Sequence, residues 1–324
     1  MAGAIVLIMF VVLFVVPCAA QEKFRFLVGE SSKTLSYGPL WIAAKMGFFE
    51  RESLDAPIIT MRGSPLTLQA LTADSIYVAS AGVDTLISAY ERGADITMIG
   101  GLINGLGLSL IGGKPYKTYA DLRGTTIGSQ TITSGTGFAL RLVLKAHGLE
   151  YPRDYKLLNI GGAADRFQAL TSGQISSAPV GVPLDLVAKQ QGFNIIGYFA
   201  DDQPNFQFNG YFVKRSWAEK NRTLVVRFMK AMASTMRWMS DNREAACGYL
   251  SKEMVISTEH CRYASDYNWK NRIWDRNAEL NVEGVRTLIK ITAEQGILKE
   301  PLPEPSKYID PSYLKQALAE IGKR

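Results

Sequence analysis

Residues 75–100 read SIYVASAGVDTLISAYERGADITMIG, and this stretch contains the repeating unit of the fold. Its two ends, 75–80 and 94–100, are short apolar runs typical of buried strands, and 82–92 between them has the apolar spacing of a helix. A strand, a helix of this length and a second strand predict a parallel sheet covered on both faces.

The same alternation extends in both directions from this unit. Upstream, the predicted strands and helices alternate at 23–29, 37–50, 57–61 and 64–71. Downstream, the predicted strands are 106–112, 125–129, 156–160, 174–180, 194–198 and 209–214. The predicted helices between them are 138–147, 163–172 and 183–191. After Lys214 we predict only helices, at 217–250, 259–269, 282–294 and 313–321.

Two series of βα units followed by helices predict an α/β protein with two lobes and a helical C-terminal region. We assign 21–112 plus 201–324 to the first lobe and 113–200 to the second. Two strands, near 106–112 and 195–214, are predicted to cross between the lobes. Because ligands bind beyond the C-terminal ends of parallel strands, two facing lobes predict a ligand-binding cleft.

The composition fits a folded protein that does not bind nucleic acid. The chain has 324 residues, of which 47% are apolar, enough for two domains. Most of its net charge of +6 lies in 215–324, where 19 Lys and Arg face 14 Asp and Glu. These charges alternate in sign, which is typical of solvated helices, whereas a nucleic-acid site needs a basic stripe with stacking aromatic residues.

The N-terminus predicts export. An apolar run at 5–16 is followed by small residues up to Ala20 and then by polar 21–23, which is the pattern of a signal peptide at 1–20. Two alternatives remain open: an uncleaved membrane anchor, since twenty residues can span a bilayer, or a lipid on Cys18. All three place the folded body outside the cytoplasm, and we expect it in the periplasm.

The cysteines and histidines indicate no metal site. Cys247 and Cys261 remain after removal of the leader, and they form either one disulfide or two buried free thiols. The two histidines, His147 and His260, do not have zinc-ligand spacing. We therefore predict no metal and no other cofactor.

Four stretches carry a family resemblance. They are YGPLWIAAKMGFFERESLD (37–55), GSPLTLQAL with SAGVDTLISAYERGADITMIG (63–71 and 80–100), ADLRGTTIGSQTITSGTGFALRLVLKAHGLEYPRDY (120–155) and GGAADRFQALTSGQISSAPVGVPLDLVAKQQGF (161–193). In order and spacing they resemble periplasmic binding proteins of the nitrate/sulfonate/taurine group, which are related to thiamine-pyrimidine binding proteins. The resemblance implies a type-II periplasmic binding fold in an ABC importer. The implied partners of this monomer are a small-molecule ligand and a membrane permease.

The chain departs from that family at one informative pair. A frequent Glu-Pro is Val182-Pro183 here, so a carboxylate that can meet a ligand amine is missing, and we expect a small organic anion, either a sulfonate or an aromatic carboxylate. A ligand-sensing module for a membrane partner is the alternative function. Thiamine-pyrimidine binding, or synthesis as in the Cys-rich enzymatic branch, is a further alternative that the absence of a Cys cluster disfavours.

Catalysis is not expected, because the sequence contains no nucleophile elbow and no phosphate loop with Lys-Ser/Thr. The candidate cleft residues instead follow strands or begin helices, where free N–H groups and a partial positive charge suit an anion. Ordinary helix capping, core packing of Trp41 and capping of the hinge by Phe208 are the competing interpretations. The candidate ligand-binding residues are Ser31, Ser32, Tyr37, Pro39, Trp41, Ser64, Ala81, Gly82, Thr133, Ser134, Gly135, Thr136, Pro183, Phe208 and Asn209.

Overall fold

The structure is a computed structural model that describes residues 23–61, 63–132, 135–203 and 205–322. Its strands are β1 (Phe24–Arg25), β2 (Val28–Glu30), β3 (Leu54–Asp55), β4 (Ile58–Thr60), β5 (Val78–Gly82), β6 (Ile96–Ile103), β7 (Leu108–Gly112), β8 (Thr126–Ser129), β9 (Lys156–Asn159), β10 (Ser177–Gly181), β11 (Asn194–Tyr198) and β12 (Asn209–Lys214). Its helices are α1 (Gly38–Lys45), α2 (Phe48–Arg51), α3 (Ser64–Thr72), α4 (Val83–Glu91), α5 (Gly135–Ala146), α6 (Ala163–Thr171), α7 (Leu184–Gln190), α8 (Phe199–Asp202), α9 (Arg215–Lys220), α10 (Arg222–Asp241), α11 (Arg243–Glu253), α12 (Thr258–Lys270), α13 (Val282–Glu294) and α14 (Ser312–Ile321). The predicted signal peptide at 1–20 lies outside the described residues.

The first lobe is built on a five-stranded sheet in the order β4-β2-β5-β12-β6. β2 pairs in parallel with β4 and β5, whereas β12 runs antiparallel between β5 and β6. β6 reads ITMIGGLI and is buried at every position, as expected for a strand covered on both faces.

The second lobe is built on another five-stranded sheet, in the order β11-β7-β10-β8-β9. β8 pairs in parallel with β9 and β10, and β7 is antiparallel to β10 and β11. The prediction of an α/β protein with two lobes and a helical C-terminal region is therefore confirmed.

The boundary between the lobes differs from the prediction at β7. We assigned residues up to 112 to the first lobe, but β7 pairs only with strands of the second sheet, which therefore begins at Leu108. An apolar strand next to a crossover fits the edge of either sheet, so its composition does not reveal its partners. The first crossover is accordingly the short segment 104–107 rather than the strand 106–112.

The two crossover segments, 104–107 and 203–208, are tied to each other. Gln207 is fully buried, and its Nε2 donates to Oδ1 of Asn104 at 2.8 Å. The backbone N–H of Asn281, just before α13, donates to Oε1 of Gln207 at 2.7 Å. The C-terminal helices thus hold both connections between the lobes in one hydrogen-bonded network.

The lobes share part of their apolar core. Leu86 of α4, in the first lobe, belongs to the same buried cluster as Phe138 of α5, in the second. A separate cluster packs α10 against α1 and α2 beneath the first sheet. In the described part of the chain, no helix combines the length and the apolar character needed to cross a membrane.

Some predicted helices are interrupted. The predicted helix at 217–250 is three helices, α9, α10 and α11, which are separated at Asn221 and Asn242. The predicted helix at 37–50 is divided at Gly47, whose φ of 74° is the left-handed conformation that glycine tolerates. This division turns α2 against α10.

Cys247 of α11 and Cys261 of α12 are both buried, with their sulfur atoms 2.8 Å apart. The hydrogen bond from Cys261 lowers the pKa of the Cys247 thiol. If the chain is exported, we expect this pair to oxidise, and reduction to lower the free energy of unfolding by about 3 kcal/mol. Intact mass and alkylation under non-reducing conditions would check this, and alkylation of both thiols in the secreted protein would contradict it.

Candidate ligand-binding site

The first strand of the parallel set ends in a buried acid. Glu30, the last residue of β2, has no solvent exposure. Its carboxylate accepts hydrogen bonds from Oγ1 of Thr60 at 2.6 Å and Nε1 of Trp41 at 3.1 Å. Burial raises the pKa of Glu30 to about 7, because these two hydrogen bonds only partly offset the loss of solvation.

Next to Glu30, a polar group links the first loop to the second crossover. Oγ of Ser31 donates to the carbonyl of Ser80 at 2.8 Å. Nδ2 of Asn209, at the start of β12, donates to Oη of Tyr37. Both residues of that pair are buried, and burial raises the pKa of Tyr37 well above its usual value.

The two lobes meet where two helices begin. Asp84 lies in the first turn of α4, and its carboxylate accepts a hydrogen bond from the backbone N–H of Gly135, the first residue of α5. Burial raises the pKa of Asp84 despite this bond. Beside it, Oγ of Ser64 accepts from the N–H of Gly82 at 2.8 Å. An acid of the first lobe thus occupies the helix N-terminus that the second lobe presents.

A second contact between the lobes involves α12. Asp185 of α7 is fully buried and accepts hydrogen bonds from Oγ of Ser109 at 2.9 Å and Oη of Tyr263 at 3.0 Å. The ring of Tyr267 lies against that of Tyr198 at the end of β11, with 5.7 Å between centroids. The C-terminal helix therefore covers the junction between the lobes.

The charged side chains at the junction are mainly acids. Glu30, Asp84 and Asp185 make no ion pair with a Lys or Arg of the described residues. The ammonium of Lys33 lies 4.1 Å from the ring centre of Trp41 but pairs with Glu253 at 2.6 Å. Within the described ranges, no group of three or more His, Cys, Asp or Glu could hold a metal ion.

The comparison with protein families agrees with this architecture. Residues 35–246 match the family model described as NMT1/THI5 like. The chain belongs to the NMT1/THI5-like family. The resemblance to nitrate/sulfonate/taurine-type binding proteins that the sequence predicted is therefore confirmed.

Similar proteins have related names and the same fold. The Bacillus subtilis protein YtlA, named as a binding protein, is 23% identical over 231 residues, 69% of each chain. The nitrate-binding protein NrtA of Synechocystis superposes with a TM-score of 0.73 at 16% identity, over 94% of this chain and 90% of its own. The alkanesulfonate-binding protein SsuA of Xanthomonas axonopodis superposes with a TM-score of 0.69 at 16% identity, over 89% and 99%. The type-II periplasmic binding fold is therefore confirmed for this member of the NMT1/THI5-like family.

Several predicted site residues do lie together. The contacts described above join Ser31, Tyr37, Trp41, Ser64, Gly82, Gly135 and Asn209 around the first lobe's strand ends and the start of α5. Thr136 is buried in the first turn of α5, and Pro183 precedes α7 through a cis peptide bond. Their role in binding a ligand stays a prediction.

The other predicted site residues lie elsewhere or cannot be described. The side chain of Ala81 is part of the apolar core, and that of Phe208 packs against both large cores. Pro39 is buried in the first turn of α1, whereas Ser32 is partly exposed. Thr133 and Ser134 lie outside the described residues.

Sequence reasoning missed the buried acids and the contribution of α12. Glu30 could have been found, because an acid that ends an apolar strand is unusual. Asp185 and Tyr263 gave no such signal, since an acid at a helix start and a tyrosine in a polar helix are common. Their importance depends on the packing of α12 against the second lobe.

Proposed function

We propose that this chain is the extracytoplasmic solute-binding component of an ABC importer. The observation that supports it best is that two lobes, joined only by two short crossovers, meet through polar groups at their strand ends. Asp84 with Gly135 is one such contact and Asp185 with Tyr263 is another. A small solute held between the lobes would replace or extend these contacts, and a membrane permease would receive it.

The proposed mechanism is closure driven by the ligand. Opening separates Asp84 from the N–H of Gly135, and closure around a solute restores a dry interface between the lobes. A ligand favours the closed form only by the difference between its affinities for the two forms. The network of Asn104 and Gln207 keeps the crossovers together while the lobes move.

Binding without catalysis is part of the proposal. Nε2 of His147 contacts Asp202 at 2.9 Å and its ring stacks on Tyr119, all within the second lobe. His260 lies in the first turn of α12, where its N–H is capped by Ser257. Neither imidazole lies beside a Ser or Cys nucleophile in the described contacts.

Export, a monomeric state and delivery to a permease are further parts of the proposal. The ligand class predicted from the sequence, a small organic anion, draws support from the helix N-terminus at Gly135. It is weakened by Asp84, because an anion bound there must displace or neutralise that carboxylate.

A thermal-shift screen of residues 21–324 tests the binding function. The panel contains alkanesulfonates, taurine, nitrate, aromatic carboxylates, thiamine pyrimidines and small amines. A ligand at about 100 times its Kd adds about 2.7 kcal/mol, which raises Tm by several degrees. A panel in which no compound raises Tm would count against a solute-binding role.

For any hit, we expect Tyr37→Phe to weaken binding by about tenfold, because it leaves Nδ2 of Asn209 buried without an acceptor. Tyr151→Phe is the matched control, since Tyr151 is exposed on the second lobe. Calorimetry on both variants locates the site, and equal affinities would place it away from Tyr37.

A further inference from the structure

The C-terminal helix α12 carries a buried carboxamide with no partner. Asn268 has no solvent exposure, and neither Nδ2 nor Oδ1 is hydrogen-bonded to any of the described residues. The hydroxyl of its neighbour Tyr267 is also buried without a partner. Buried polar atoms in native proteins are nearly always satisfied, so such a group indicates a molecule that binds there.

Asn268 faces the junction between the lobes. A methyl group placed on Gly107, in the first crossover, would lie 3.8 Å from Oδ1 of Asn268. The carbonyl of Gly107 in turn lies 3.4 Å from the position of a methyl group on Gly181, at the end of β10. The carboxamide is therefore directed at the place where the first crossover meets the strand end of the second lobe.

A carboxylate and three tyrosines lie beside this carboxamide. Asp185 follows β10 by four residues and is held by Tyr263, which lies five residues before Asn268 on α12. Five helical residues span about 7.5 Å, which is the length of a small solute. Tyr198 is hydrogen-bonded to Tyr263 and packs on Tyr267.

The charge of Asp185 is not balanced by a cation. Its hydrogen-bond donors in the described residues are the hydroxyls of Ser109 and Tyr263 and the backbone N–H of Leu186, all of them neutral. A buried carboxylate without a cation is costly unless a positive charge binds beside it. Aromatic rings around such a carboxylate also attract a cation through their faces.

We propose that α12 and α7 form a subsite for a positively charged nitrogen, in which Asp185 and the tyrosines hold the cation and Asn268 hydrogen-bonds its neighbouring polar group. This inference rests on the proposed solute-binding function and names its ligand class: a small organic cation, such as an amine or amidine, rather than a bare anion. The carboxamide offers one donor and one acceptor side by side, so it selects a ligand with both.

Asn268→Leu gives a test with two opposite readouts. Leucine has nearly the same shape without polar atoms, so the variant without ligand should have a Tm several degrees higher than the wild type. The same variant should bind the cation at least about tenfold more weakly. A carboxamide with a purely structural role would move the first readout and leave the second unchanged, and that result would overturn the inference.

Asp185→Asn tests the charge, and Asp266→Asn is its control, because Asp266 lies on the exposed side of α12. The probes are matched pairs, benzamidine with benzoate and benzylamine with phenylacetate, measured by thermal shift and calorimetry. We expect the cations to stabilise the wild type and Asp266→Asn, and Asp185→Asn to lose at least about tenfold in affinity. Stabilisation by the acids alone would overturn the inference but keep the solute-binding function.

Failure of both members of every pair would also overturn the inference. A hit from the wider panel of sulfonates, nitrate and carboxylates would then leave the solute-binding function intact, whereas no hit at all would count against both.

Discussion

Gly284→Ala should lower the free energy of unfolding by about 3 kcal/mol, which is about 6 °C in Tm. Gly284 lies in the first turn of α13, and an added Cβ would be 2.5 Å from the carbonyl carbon of Phe206 and closer still to the backbone nitrogen of Gln207. These are backbone atoms of the second crossover. They can move only by breaking the network of Gln207 with Asn104 and Asn281.

The sign of this effect is informative because alanine usually favours a helix over glycine by about 1 kcal/mol. Gly248→Ala in α11 is the matched control, since no atom lies within 4 Å of its added Cβ. We expect that variant to be as stable as the wild type or slightly more stable in thermal and urea unfolding. Equal Tm values for both variants would show that α13 does not hold the crossover in the way described.

Most of the architecture could be predicted because a buried parallel sheet has a local signature. The stretches SIYVAS and ITMIG are apolar, short and separated by one amphipathic helix, so strand, helix and strand follow from neighbouring residues alone. The sheet to which β7 belongs could not be predicted. Its partners β10 and β11 lie about 70 to 85 residues further along the chain.

The candidate site was predictable only in part, for a similar reason. Loops such as Ser31 and Gly135 could be assigned to the cleft because strand ends and helix starts face it in this class of sheet. Asn268 could not, because the residues around it in sequence read as an ordinary polar helix, and its burial comes from contacts with the first crossover. The electrostatics of Glu30 likewise depend on Trp41 and Thr60, which approach it from separate elements.

The buried polar groups at the junction have a common consequence for stability. Glu30 and Asp84 have raised pKa values, and Asn268 lacks partners, so each makes the ligand-free closed form less stable than an apolar residue of the same shape would. A scaffold under no functional demand would lose such groups. Their presence together at the lobe interface is consistent with the binding function that we propose.

Glu30→Gln should stabilise the protein at pH 8 by up to about 3 kcal/mol relative to its effect at pH 4. Burial raises the pKa of Glu30 from 4.5 to about 7, so between these values the unfolded state has lost a proton that the folded state keeps. For the wild type this contribution therefore lowers stability as pH rises through that window. It is absent below about pH 4.5, where Glu30 is protonated in both states.

Glutamine keeps an oxygen that can accept from Thr60 or Trp41 but cannot ionise, so the variant lacks this pH dependence. Urea unfolding of wild type and variant between pH 4 and pH 8 measures the difference, which cancels the titration of all other groups. Glu294→Gln is the control, because Glu294 is an exposed carboxyl at the end of α13. A difference that does not grow with pH would mean that Glu30 is ionised at little cost, and that solvent or a cation reaches the end of β2 in the folded protein.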